Sequence, residues 1–166
     1  MITTIIQIVS VFLVVLQVYL LNKQIRIASK QLKDNNEWNR IQASISIINR
    51  YNGIINQVEN RLLDKIKLLS LQARDLQKSE INLLLQNTSN RKQLFLLCNY
   101  FEELALGVKF KYLNETIVME QLYTPVVCNY ENLNAYIQLR RIETKMNVCG
   151  NFEWLAERWK MKTSKA

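Results

Sequence analysis

Histidine is absent from this sequence of 166 residues, which also contains only one proline and three glycines. Without histidine, the chain cannot build a Ser-His-Asp or Cys-His catalytic arrangement, a histidine-ligated metal site or an imidazole switch. Three widely separated glycines cannot form a phosphate-binding loop of the Walker or dinucleotide kind. So few turn-forming residues also argue against an all-β fold. We therefore expect an all-α protein that is not an enzyme and has no catalytic residue, cofactor or metal.

Cysteine is scarce as well. The three cysteines, Cys98, Cys128 and Cys149, are odd in number and show no Cys-x-x-Cys spacing. This pattern is typical of reduced side chains that are mostly buried and behave as small hydrophobic groups. We therefore predict free thiols.

Charge is missing from the first part of the chain. Residues 2–21 contain no charged side chain, and most of them are Ile, Val, Leu or Phe. At a helical rise of about 1.5 Å per residue, such a segment covers roughly 30 Å, the thickness of the hydrocarbon core of a bilayer. The pattern predicts a single transmembrane helix over residues 1–22, with a buried core helix as the alternative.

The first basic residues follow this segment directly. Lys23, Arg26, Lys30 and Lys33 recur by three and four positions, in a chain with 22 Lys and Arg against 14 Asp and Glu. Because positive charge favours the cytoplasmic side, we predict an uncleaved, single-pass anchor in a bacterial inner membrane, with the N-terminus outside and the remainder in the cytoplasm. The same four side chains are predicted to contact lipid headgroups. The alternative is that they only set the topology.

Polar residues occur at a regular interval along the same segment. Thr3, Ser10, Gln17 and Gln24 follow one another in steps of seven residues, and Gln7 lies on the same helical face. A seven-residue period is the register of a left-handed helix pair, and glutamines in lipid can hydrogen-bond across such a pair. These five residues predict a homo-oligomer assembled through the membrane helix. The alternative is that they occur there incidentally.

An apolar series continues the helix beyond the predicted membrane segment and predicts a helical stalk over residues 23–36. Its members alternate in steps of four and three residues: Val14, Val18, Leu21, Ile25, Ala28 and Leu32.

Residues 37–166 are predicted to form one helical domain, a bundle of about five or six helices, because apolar residues recur there at helical spacing. The clearest helix has one wide apolar face between Leu94 and Val108. Residue types that cap, kink or end helices predict the boundaries. These are a kink or break at Asn52-Gly53, an N-cap at Ser79, a loop over residues 86–90, an N-cap at Asn114 with a helix end before Pro125, and a break at Gly150.

Acidic residues are the remaining candidates for chemistry. Glu102 and Glu103 are adjacent and therefore point about 100° apart on a helix, so they cannot act as a facing acid–base pair. Glu102 could be partly buried and paired with an arginine of another helix. Glu153 and Glu157 share a helical face, but the chain lacks the histidines of a four-helix di-metal site. We therefore favour buried structural ion pairs over a metal site.

Trp154, Arg140 and Arg141 are the candidate surface for an unidentified protein partner. Trp154 lies off the apolar face of the predicted terminal helix, and the two arginines add positive charge. We do not expect nucleic-acid binding, because the alternation of basic and aromatic residues that is typical of single-strand binders is absent.

The segment NYFEELALGVK at residues 99–109 resembles a signature of a bacterial and phage family known only as domain of unknown function 4760. The segment NFEWLAERW at residues 151–159 is similar to the closing motif of that family, and residues 136–141 are similar to its aromatic and basic helix. The resemblance covers about residues 90–160. It implies a helical domain behind an N-terminal anchor and supplies no catalytic residue.

Two functions are compatible with these patterns. The first is a single-pass, membrane-anchored module that is not an enzyme and acts in interaction and oligomerisation. The second is a membrane-perturbing effector of a phage-defence or toxin system, whose polar-faced spans cluster in the bilayer. The lack of a catalytic arrangement favours the first, and the polar residues of the apolar segment motivate the second.

Overall fold

The computed structural model describes residues 2–65 and 75–164. No strand occurs in these residues, so the predicted all-α fold is confirmed. Six α-helices and one π-helical segment follow one another along the described chain. Their bounds are α1 Ile2–Arg50, the π-helix Tyr51–Ile55, α2 Asn56–Lys65, α3 Lys78–Gln86, α4 Thr88–Lys109, α5 Glu115–Thr144 and α6 Gly150–Thr163.

The chain divides into two compact units, Met1–Asn39 and Arg40–Ala166. In the first unit, every described side chain of α1 is exposed, namely Leu13 and residues 16–39. The side chains of residues 1–12, 14 and 15 lie outside the description. In the second unit, buried residues from all the helical segments join in one hydrophobic core.

The predicted transmembrane anchor is wrong. Within the part of the chain that the structure describes, no helix is both long enough and apolar enough to cross a bilayer. A transmembrane helix needs about 20 consecutive apolar residues, whereas the described side chains of α1 include polar Gln17 and Asn22 and reach a charge at Lys23. The single-pass topology and the inner-membrane location were derived from that anchor and are contradicted with it.

Two further expectations depended on the anchor and lose their basis. One is the membrane-perturbing effector. The other is the contact with lipid headgroups that was predicted for the four basic residues of α1, which are Lys23, Arg26, Lys30 and Lys33.

A π-helical turn stands where the sequence predicted a kink or break at Asn52-Gly53. The backbone continues without interruption, and the amide of Asn56 donates to the carbonyl of Tyr51, five residues earlier. Gly53 is exposed, with nothing within 4 Å of the position that a Cβ would take. The wider turn shifts the helical register and leaves both Tyr51 and Ile55 buried.

A single residue, Asn87, separates α3 from α4, where the sequence predicted a longer loop. Its side-chain oxygen accepts a hydrogen bond from the amide of Ser89 at 2.7 Å and so caps α4. The predicted cap at Ser79 is also wrong, because α3 begins one residue earlier, after Gln77. There the Glu80 carboxylate accepts a hydrogen bond from the Gln77 amide at 2.7 Å.

The predicted N-cap at Asn114 is confirmed, since its side-chain oxygen accepts hydrogen bonds from the amides of Thr116 and Ile117. The predicted helix end before Pro125 is wrong, because α5 continues through Pro125 to Thr144. Proline removes one backbone hydrogen bond from a helix interior and usually kinks or ends the helix. Here the carbonyl of Pro125 accepts a hydrogen bond from the side chain of Asn129 at 2.9 Å.

A tight turn joins α4 to α5. The carbonyl of Gly107 accepts hydrogen bonds from the amides of Tyr112 and Leu113, at 2.9 and 3.0 Å. Leu113 packs so closely that a Cβ on Gly107 would lie 2.5 Å from its Cδ1 atom. Lys111 completes the turn in the left-handed region, with φ of 61°. The turn places the Lys109 and Lys111 side chains beside α6.

Aromatic rings form the centre of the core. The rings of Phe101 and Phe152 stack at 4.7 Å, with an angle of 11° between their planes. Tyr100 and Tyr130 meet these two rings edge-on, and Tyr51 packs against Phe101 at 6.3 Å. The rings come from the π-helix, α4, α5 and α6, so their contacts fix α6 against these three segments.

Candidate functional site

Glu102 anchors the beginning of α6 to α4. Its carboxylate accepts hydrogen bonds from the amide of Phe152 at 2.8 Å and from the side-chain nitrogen of Asn151 at 2.7 Å. The amide of Asn151 donates to it as well, at 3.3 Å. A negative charge at the N-terminus of a helix complements the helix dipole. Glu102 is therefore partly buried as expected, but its partners are amides rather than an arginine.

Glu115 ties the first turn of α5 to the last turns of α6. Its carboxylate accepts two hydrogen bonds from Arg158, at 2.8 and 3.1 Å, and one from Lys162 at 2.7 Å. The indole N–H of Trp159 donates to it at 3.2 Å. The hydrogen bonds from Arg158 are the main reason that the pKa of Glu115 falls to about 2.

Glu153 holds α6 against the end of α5. It accepts hydrogen bonds from Arg141 at 2.8 Å and from the Tyr130 hydroxyl at 2.7 Å. The contact with Arg141 lowers the pKa of this carboxyl. Glu157, its predicted neighbour on the same face, is exposed. Among residues 2–65 and 75–164, no group of three or more His, Cys, Asp or Glu side chains could hold a metal ion.

A basic groove opens where the turn between α4 and α5 faces α6. It encloses about 490 Å³ and is lined by Arg40, Lys109, Lys111, Glu115, Trp154 and Arg158, together with the apolar side chains of Val108 and Leu113. We call it the Trp154 groove. Four of its side chains carry positive charge and one carries negative charge.

Trp154 lies close to two of these cations. The ammonium of Lys109 lies 5.7 Å from the centre of the indole ring, and the guanidinium of Arg158 lies 5.6 Å from it. Both distances allow a cation–π interaction. Lys109 is also held by a hydrogen bond to the side chain of Asn151 at 2.8 Å. The indole thus positions two positive charges at the edge of the Trp154 groove.

The structure does not bring the other two predicted surface residues to Trp154. Arg140 pairs with Glu143 at 2.7 Å and lines a separate groove with Phe95 and Tyr136. Arg141 binds the carbonyl of Val148 at 2.9 Å in addition to Glu153. The basic residues that surround Trp154 are instead Lys109, Lys111, Arg158 and Arg40, which the sequence did not single out.

The family of the chain follows from a comparison over almost its whole length. The model of a family described as Domain of unknown function (DUF4760) matches residues 4–159. The chain belongs to the DUF4760 family. The match covers both segments that resemble the signatures of this family, at residues 99–109 and 151–159. No curated protein and no solved structure matches the DUF4760 chain.

The DUF4760 core contains a buried carboxyl that the sequence pattern does not indicate. Glu59 of α2 is 1% exposed and accepts a hydrogen bond from the Tyr51 hydroxyl at 2.7 Å. Burial is the main reason that the pKa of Glu59 rises above its ordinary value, and burial also raises the pKa of Tyr51. Tyr51 is the first residue of the π-helix, and the wider turn contributes to the register in which its hydroxyl meets Glu59, eight residues later.

Two of the three cysteines meet inside the DUF4760 domain. All three are free and buried, as predicted. The interaction with the Cys149 thiol, together with burial, raises the pKa of Cys98. Cys149 has a left-handed backbone, with φ of 56°, immediately before α6. The separation of the two cysteines along the chain gave no sign of this contact.

The residues predicted to associate helices lie along α1 of the DUF4760 chain. Gln17 and Gln24 are exposed, as are the four basic residues from Lys23 to Lys33. The side chains of Thr3, Gln7 and Ser10 lie outside the described ones. The exposed apolar series of α1 accompanies Gln17 and Gln24 and includes Val18, Leu21, Ile25 and Leu32.

Proposed function

We propose that this protein is an interaction module that is not an enzyme and that two copies associate through α1 as a parallel coiled coil. One observation carries the proposal. The apolar series of α1 alternates by four and three residues, and its large side chains are exposed by 53% at Val18, 55% at Leu21, 61% at Ile25 and 64% at Leu32. Contiguous exposed apolar surface is characteristic of interaction sites.

The series fits the two inward positions of a heptad, a and d. Position a is occupied by Val18, Ile25 and Leu32, and position d by Leu21 and Ala28. Two of the three a residues are β-branched, which favours two strands in a parallel coiled coil. Fully burying each large side chain of this seam contributes about 1.5–3 kcal/mol.

The residues beside the seam are neutral and can hydrogen-bond. Position g holds three glutamines and position e holds asparagine or serine. In a parallel pair, each g residue faces the e residue five positions later in the partner. The facing pairs would be Gln17 with Asn22, Gln24 with Ser29, and Gln31 with Asn36.

The positive charges of α1 fall outside this contact. Lys23 and Lys30 occupy position f, and Arg26 and Lys33 occupy position b. These positions point away from the partner helix. Two copies of a segment with four basic residues could therefore pair without placing like charges across the seam. This arrangement supports a second copy as the occupant.

The carboxylates of the second unit support a role that is not enzymatic. Glu102 binds backbone and side-chain amides, whereas Glu115 and Glu153 bind arginines. The hydrogen bonds from the arginines lower the pKa of Glu115 and of Glu153 and favour their ionised forms, so neither carboxyl is set as a general acid. All three carboxylates join one helix to another.

The proposal can be tested by oxidative crosslinking of single cysteines introduced along α1 of the full chain. The native cysteines are buried, so the introduced thiol is the reactive one. Val18→Cys, Leu21→Cys and Ile25→Cys should give crosslinked dimers. Lys23→Cys, Arg26→Cys and Lys30→Cys, at the outer positions, should give few. Crosslinks without this periodicity would contradict the parallel pair.

Light scattering during size exclusion provides a second test with a matched control. Ile25→Lys places a charge in the seam and should convert the dimer to a monomer. Ile27→Lys makes the same change at an exposed residue of position c, outside the seam, and should leave the dimer intact. A monomeric unsubstituted chain, or equal effects of the two variants, would refute the proposal.

A further inference from the structure

We infer that the Trp154 groove binds the phosphoryl groups of a small organic oligophosphate, a molecule of the size of a nucleoside diphosphate. The inference is independent of the association through α1, because all residues of the groove belong to the unit Arg40–Ala166. The volume of about 490 Å³ lies within the usual range for small-molecule sites, roughly 300–1,000 Å³.

Three of the four cations in the groove are not neutralised within it. The single lining carboxylate, Glu115, is already shared by Arg158 and Lys162. Lys109 binds the neutral side chain of Asn151, and the ammonium of Lys111 has no acidic partner in the described parts of the chain. An anion with two or three negative charges would complement this arrangement.

Arg40 supplies a donor that lacks an acceptor. One of its terminal nitrogens donates to the carbonyl of Leu113 at 3.2 Å, but its Nε atom is buried and has no hydrogen-bond partner among the described residues. Leaving a buried donor unpaired costs about 1–3 kcal/mol. Because this Nε atom is closed to a water-sized group, Arg40 would attract a ligand in the groove through its positive charge rather than through the Nε–H.

The types of donor favour phosphate over carboxylate. A carboxylate is best bound by the two parallel N–H groups of an arginine fork, and the fork of Arg158 is occupied by Glu115. What remains are Lys109 and Lys111, which are point charges with freely directed donors, and the positive charge of Arg40. Phosphoryl groups offer several oxygens in different directions and suit such dispersed donors.

An organic portion of the ligand has a surface to contact as well. Val108 and Leu113 line the same groove, and the indole of Trp154 forms part of its wall. Small-molecule sites typically combine an apolar lining with a few placed polar groups. We therefore expect a phosphorylated organic molecule to bind more tightly than inorganic tripolyphosphate of similar charge.

Isothermal titration calorimetry of the full chain with ADP and with tripolyphosphate tests the inference, at a salt concentration of about 0.15 M that screens weak surface attraction. Both probes should bind the unsubstituted chain. The double variant Lys109→Gln, Lys111→Gln should weaken both by at least about tenfold, which corresponds to about 1.4 kcal/mol. Undetectable binding of both probes to the unsubstituted chain would overturn the site.

The chain offers a matched control in Lys92→Gln, Lys145→Gln. Lys92 lies on α4 like Lys109, and Lys145 has a left-handed backbone like Lys111, with φ of 55° against 61°. Both pairs remove the same charge, but the control residues do not line the groove. The control should retain the affinity within about twofold. An equal loss in the two double variants would show that net charge, rather than the groove, attracts the anion.

Two further ligands distinguish the chemistry. Adenosine should not bind measurably, because it lacks the phosphoryl groups, and citrate should bind more weakly than ADP. Adenosine binding as tightly as ADP, or citrate competing equally with it, would overturn the phosphoryl assignment. The Ile25→Lys variant should bind ADP unchanged, so a failure of the α1 dimer and a failure of the groove are distinguishable.

Discussion

Residues 16–39 of α1 and the helix α4 both place apolar side chains at helical spacing, but α4 buries eight of its side chains and this part of α1 buries none. Residues seven positions apart lie almost above one another on a helix and form a column. In α4, three adjacent columns are apolar and form a broad face. In α1, only two columns are apolar, and the third holds Asn22, Ser29 and Asn36. The width of the stripe therefore separates a helix that packs within its own domain from one suited to a narrow seam with a partner.

The α4 columns can be read directly from the sequence. The first contains Leu94, Phe101 and Val108, the second Leu97 and Leu104, and the third Cys98 and Ala105. Each column repeats at seven residues, as do the two columns of α1. The period alone does not distinguish the helices, whereas the polarity of the third column does.

The largest effect that separates the two regions is expected at the centre of the α4 face. Phe101→Ala should reduce the free energy of unfolding by about 3–5 kcal/mol, because it removes a fully buried ring stacked on Phe152. Phe95→Ala, at an exposed position of the same helix, should change it by less than about 0.5 kcal/mol. Urea denaturation of both variants measures the difference. Similar losses at the two positions would mean that the broad face is not what stabilises α4.

A smaller effect is expected at two glycines, Gly107 of α4 and Gly53 of the π-helix that follows α1. Gly107→Ala should destabilise by about 1–3 kcal/mol, because its Cβ would meet the buried side chain of Leu113. Gly53→Ala should instead stabilise by about 0.5–1 kcal/mol, since its Cβ would meet nothing and alanine favours a helix. Thermal unfolding gives both values. Changes of the same sign would refute this contrast.

Acid should reduce the stability of the second unit, Arg40–Ala166, before it affects the exposed part of α1. The pKa of Glu115 is about 2 in the folded protein, against an ordinary value of 4.5. Its contribution to stability is therefore complete above pH 4.5 and is lost as the pH falls towards 2, and we expect this loss to be about 1–2 kcal/mol after solvent screening. Denaturation at several pH values measures it.

Two carboxyls serve as comparisons for the acid experiment. Glu115→Gln should remove this part of the pH dependence, whereas Glu120→Gln, at an exposed position of α5, should retain it. Buried Glu59 has the opposite sign, because its raised pKa gives stability at low pH that is lost as the pH rises through the folded value. A Glu115→Gln profile that is parallel to that of the unsubstituted chain would contradict the assignment.

The smallest effect on folding is expected in α1. Ile25→Ser should change the free energy of unfolding of the monomer by less than about 0.5 kcal/mol, because the side chain is already exposed. The same substitution should weaken the dimer measurably in sedimentation equilibrium. A large loss of monomer stability would show that α1 packs within the chain rather than against a second copy.

The sequence predicted the elements that depend on local patterns. The broad face of α4 and the N-cap at Asn114 follow from side-chain spacing and from a short polar residue before a helix. The family resemblance at residues 99–109 and 151–159 also held over the longer match. These features require information only from residues close together in the chain.

Features that depend on distant contacts were not predictable in this way. Pro125 ends many helices, but here tertiary packing on both sides of it keeps α5 intact, with Val126 and Leu122 buried. The transmembrane prediction rested on the length, apolar character and lack of charge of one local segment, and it is contradicted in the described residues. The Trp154 groove combines residues from α1, α4, α5, α6 and the turn after α4, so no single segment of sequence could indicate it.

The joint at Asn87 has a consequence for how this domain tolerates changes of length. One residue, with φ of −101° and ψ of 125°, sets the direction in which the chain leaves α3 and enters α4. Each residue added to a helix rotates all that follows by about 100°. A single residue inserted into α4 between Asn87 and Leu94 would therefore rotate Leu94 and Leu97 by about 100° relative to the helix start that Asn87 caps. An insertion in the exposed stretch before Asn39 would change the phase of the heptad.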